Sequence, residues 1–69
     1  NMGDENEDLA RLGRYEAFRC DVVAELASTE GQLRDLKTAG KTRTATYQQL
    51  FANRLTLRGI LERLADHGI

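Results

Sequence analysis

Cys20 and His67 are the two side chains best suited to nucleophilic or proton-transfer chemistry near neutral pH. They are the only cysteine and the only histidine among 69 residues. A thiol nucleophile needs a neighbouring base, and that base needs a third group to orient it. Cys20 sits among alanines, far along the chain from His67, and nothing around His67 is placed to orient it. One cysteine cannot form an intrachain disulfide, and one Cys with one His is too few for a Cys/His zinc site. The carboxylates fall on helix faces and in the N-terminal segment, not in a pair that a cleft would hold. The sequence therefore predicts no enzyme: no catalytic residue, no metal ligand and no cofactor.

The stretch Ala39–Gly40–Lys41–Thr42 ends like a phosphate-binding loop. That motif needs a glycine at position 35, where this chain has Asp35, and it needs a strand before it. Here a long helical pattern precedes it, so no nucleotide site is expected. Lys37, Lys41, Arg43, Arg54 and Arg58 offer a second kind of chemistry, a basic patch around the turn and second helix. The segment Leu50–Ile69 has the outline of a helix-turn-helix if Thr56 opens a new helix. A small DNA- or RNA-binding regulator is thus the alternative reading. The sequence pI of about 5.8 weighs against it, because phosphate contacts dominate such affinity. The helical pattern also runs through Arg54–Thr56 without a glycine break.

The elements that carry these residues are legible from periodicity. Leu12, Tyr15, Arg19, Val22, Leu26, Thr29, Leu33 and Leu36 are spaced alternately three and four apart, flanked by Leu9, Phe18 and Val23. Residues 1–5 are expected to be loose, with a first helix over about 6–38. Early acids suit its N-terminus and Lys37 its C-terminus, because the helix dipole favours those signs there. Gly40 is placed to follow its end. Residues 39–45 form the connection. Thr46 with Gln49 fits a capping box, so the second helix should run over about 46–67, with Thr44 or Thr42 as alternative starts, ending at Gly68. Its apolar face is Tyr47, Leu50, Leu57, Ile60, Leu61 and Leu64. The expected fold is all-α: one domain over 1–69, an antiparallel helical hairpin with a long first arm and a shorter second one.

A second row on the first helix holds only small residues: Ala10, Gly13, Ala17, Cys20, Ala24, Ala27 and Gly31. At ~100° per residue it lies about 160° from the large apolar row. Ala alone would fit a solvated face, but each glycine costs about 0.5–1 kcal/mol inside a helix. The row is therefore expected to be a dimer interface, letting a second helix backbone approach closely. The return arm is too short to cover Leu9, Leu12 and Tyr15, and Phe51 and Leu55 sit well round from the second helix's apolar face. Such uncovered groups signal a partner contact.

Charge gives this pairing a direction. Residues 1–31 hold eight acids and three bases, whereas 32–63 hold seven bases and two acids. Antiparallel pairing of two first helices brings Asp4, Glu5, Glu7 and Asp8 near Arg34 and Lys37 of a second copy; parallel pairing stacks acid on acid. The expectation is a homodimer, a four-helix bundle acting as a protein–protein interaction or scaffold module, with another protein as a possible second partner. A 69-residue chain is marginal alone, which favours such assembly. No apolar run approaches the ~18 residues that span a bilayer. The acidic N-terminus lacks the character of a leader, and the single cysteine suits a reducing, cytoplasmic setting.

Overall fold

The computed structural model describes residues 2–69, with side chains from Gly3 onward. Two helices account for nearly all of it: α1, Met2–Thr38, and α2, Ala45–Asp66. They pack antiparallel as an all-α hairpin. The radius of gyration is 16.8 Å, against about 11 Å for a compact domain of this length. The extents are 59 × 18 × 15 Å, so the molecule is a rod.

α1 begins at Met2, earlier than the expected start at about residue 6; Asn1 lies outside the described residues. Nothing from Met2 to Asp8 breaks a helix, and Asp4 and Glu5 lie in the first turn, where negative charge is favoured. Both helices end in the same way. Gly40 (φ 71°) and Gly68 (φ 76°) take the left-handed conformation that glycine enters without strain. The amides of Gly40 and Lys41 donate to the carbonyls of Lys37 and Leu36, and those of Gly68 and Ile69 to Ala65 and Leu64. This paired closure occupies carbonyls that the helix leaves free.

The connection covers residues 39–44. Thr44 caps α2: its backbone is extended (φ −78°, ψ 155°), and its hydroxyl accepts from the Tyr47 amide at 3.1 Å. The same hydroxyl donates to the Lys41 carbonyl at 3.0 Å, tying the cap to the end of α1. Thr46 lies inside the helix, and Gln49 bonds Asn53 one turn on instead of reaching back. The expected box at Thr46 and Gln49 is thus replaced by a cap two residues earlier. Thr56 does not open a new helix. Its hydroxyl folds back onto the Ala52 carbonyl at 3.2 Å, and α2 runs through it unbroken.

The core follows the predicted rows only over the length where both helices are present. On α1, Val22, Thr29 and Leu33 are buried and Leu26 and Leu36 half-buried. On α2, Leu57 is buried, with Tyr47, Leu50, Arg54, Leu61 and Leu64 half-buried. Arg54 thus occupies a core-facing position between Leu50 and Leu57.

Candidate functional site

The length difference between the arms sets the surface. At ~1.5 Å per residue, α1 is about 55 Å long and α2 about 33 Å. Every residue from Gly3 to Asp21 is exposed. The apolar row nevertheless continues through this overhang. Leu9 is 66% exposed and Leu12 53%, with Tyr15 and Phe18 also exposed. The Arg11 guanidinium lies 6.0 Å from the Tyr15 ring centroid and touches its hydroxyl at 3.4 Å. The expectation that the return arm leaves Leu9, Leu12 and Tyr15 uncovered matches this exposure.

The second surface is on the paired end of the hairpin. A groove of about 430 Å³ runs between α1 and α2, lined among others by Arg34, Lys37, Tyr47, Phe51, Arg54 and Arg58. Glu30, at its edge, accepts a hydrogen bond from Arg58 at 3.0 Å, an ion pair that joins the two helices. The Arg54 guanidinium lies 4.7 Å from the centroid of the Phe51 ring. Arg54 Nε is buried with no hydrogen-bond partner. A buried donor in that state is costly unless an acceptor arrives. Leu55, 57% exposed, continues the α2 face beyond Phe51.

Several residues singled out from sequence are placed apart. The small row is open: Ala10, Gly13, Ala17, Cys20, Ala24 and Ala27 are exposed, Gly31 is half-buried, and a methyl group added at Gly13 would meet nothing within 4 Å. No part of this chain packs on that row. Cys20 is a free, exposed thiol, and His67 caps the C-terminus of α2. Of the basic candidates, Lys37, Lys41 and Arg43 are exposed. Arg54 is turned into the helix–helix seam, and Arg58 is paired with Glu30.

Sequence reasoning missed the groove. Arg54 was legible as a core-facing residue, since Tyr47, Leu50, Arg54, Leu57, Leu61 and Leu64 keep the three-four spacing. What no single-helix pattern shows is that Arg34 and Lys37 from α1 line the same groove as Arg54 and Arg58 from α2.

Among the described residues, no three His, Cys, Asp or Glu side chains group closely enough to hold a metal ion. No described helix is long and apolar enough to cross a membrane. No protein-family model, curated protein or solved structure matches the chain.

Proposed function

We propose that this protein is a non-enzymatic helical interaction module that works by self-association, as a homodimer. The observation that carries this reading is the overhang: roughly half of α1 continues the apolar row of the core with no part of α2 upon it. Burying a large aliphatic or aromatic side chain contributes about 1.5–3 kcal/mol. Leu9, Leu12, Tyr15 and Phe18 leave that contribution unrealised in the single chain. The described core is small: Val22, Leu33 and Leu57 are its buried hydrophobic residues, and no described side chain is fully buried. A chain of this size with so little buried surface gains much from a partner.

Sedimentation equilibrium across a hundredfold range of protein concentration tests this. The expected result is a reversible equilibrium reaching twice the chain mass, with thermal stability rising with concentration. A folded chain that stays at monomer mass throughout overturns the proposal.

A further inference from the structure

We infer that the occupant of the basic groove is the acidic overhang of a second copy, docked reciprocally, so that each α1 lies in the groove of its partner. This inference rests on the self-association reading above and specifies its surfaces and register.

Charge complementarity argues for it first. The overhang carries six acids, Asp4, Glu5, Glu7, Asp8, Glu16 and Asp21, against three bases, Arg11, Arg14 and Arg19. The groove carries Arg34, Lys37, Arg54 and Arg58 against one acid, Glu30, which already holds Arg58. The first turn of α2 has no acidic residue to complement its dipole. An acidic segment lying alongside it, near Lys41 and Arg43, supplies the missing charge.

Spacing argues for it second. Along the overhang, Leu9, Leu12, Glu16 and Arg19 are three, four and three apart, which places them on one face. Along α2, Phe51, Leu55, Arg58 and Glu62 are four, three and four apart, also on one face. Laid parallel, the two rows match in chemistry position by position. Leu9 meets the partner's Phe51, Leu12 the partner's Leu55, Glu16 the partner's Arg58, and Arg19 the partner's Glu62. Because α2 runs antiparallel to its own α1, this docking makes the two α1 helices antiparallel. The same register then brings Asp4 and Glu5 toward the partner's Lys37, and Asp8 toward the partner's Arg34. A twofold axis generates the second docking from the first, so the interface closes at two copies. The row of Ala and Gly is not used in this arrangement.

Three measurements test it. In a Cys20→Ser background, the pair Leu12→Cys and Leu55→Cys should form intermolecular disulfides under mild oxidation and run as a covalent dimer. All three positions are exposed in the single chain, so folding is retained. Arg19→Glu should weaken dimerisation about tenfold, as like charges meet twice per dimer, and adding Glu62→Arg should restore it to within about twofold. In the unaltered chain, Cys20 should not cross-link to its mate. If the unaltered chain is dimeric but Cys20 cross-links efficiently while the engineered pair does not, self-association stands and this docking is wrong. Failure of Glu62→Arg to rescue Arg19→Glu also overturns it. A monomeric unaltered chain removes both proposals together.

Discussion

Arg58 on α2 and Glu30 on α1 meet at 3.0 Å, across 28 residues of sequence and near the middle of the paired length. The ion pair is partly solvated, with side chains 55% and 33% exposed. Its contribution is therefore small, and its value lies in holding Arg58 at the rim of the groove.

Replacing Arg58 with Ala should accordingly cost no more than about 1 kcal/mol of folding stability, and the loss should shrink as salt is raised. Urea unfolding at low and high ionic strength checks this. A salt-independent loss well above that figure would show that the side chain acts through packing instead.

Leu57→Ala should be far more damaging. Leu57 is 7% exposed, the most buried residue of α2, and deleting a buried leucine side chain typically costs about 2–5 kcal/mol. In so small a core this should abolish cooperative unfolding or lower the midpoint by many degrees. Thermal melting followed by circular dichroism reads it. A melt like that of the unaltered chain would mean that the hairpin seam is not where stability resides.

The start of α2 can be located by paired substitutions. Thr44→Ala removes the hydroxyl that accepts from the Tyr47 amide and should cost about 1 kcal/mol. Thr46→Ala removes no cap and should be neutral or slightly stabilising, since Ala is the better helix former. Equal losses at both positions would contradict the observed cap.

Glycine substitutions separate a solvated small row from a packed one. A methyl group at Gly13 meets nothing within 4 Å, so Gly13→Ala should stabilise α1 by about 0.5–1 kcal/mol and leave the proposed dimer equilibrium unchanged. Gly40→Ala forces a side chain into a positive-φ conformation and should destabilise by about 1–2 kcal/mol. Weaker dimerisation in Gly13→Ala would place a second helix against the small row.

Much of this architecture is visible in the order of residues. The rows Val22–Leu26–Thr29–Leu33–Leu36 and Tyr47–Leu50–Leu57–Leu61–Leu64 are periodic enough to define two helices and the faces they turn toward each other. Gly40 and Gly68 mark both helix ends, because left-handed backbone there favours glycine over every other residue. The starts of the helices were less legible. Nothing in the acidic N-terminal run stops a helix, and the choice between Thr44 and Thr46 depends on whether a hydroxyl can also reach the Lys41 carbonyl across the turn.

Residue order alone is enough to set two amphipathic helices, their apolar faces and the glycine that ends each one, because these depend on neighbours within a turn or two. Which part of the long apolar row is covered depends on how the two arms pack. The same period of three and four runs through Leu12 and Tyr15 as through Val22 and Leu33, yet α2 reaches only the latter pair. The folded hairpin likewise decided that Arg34, Lys37, Arg54 and Arg58 share one groove. Periodicity assigns a residue to a face of its own helix, whereas what lies opposite that face depends on chain length, turn geometry and register between helices.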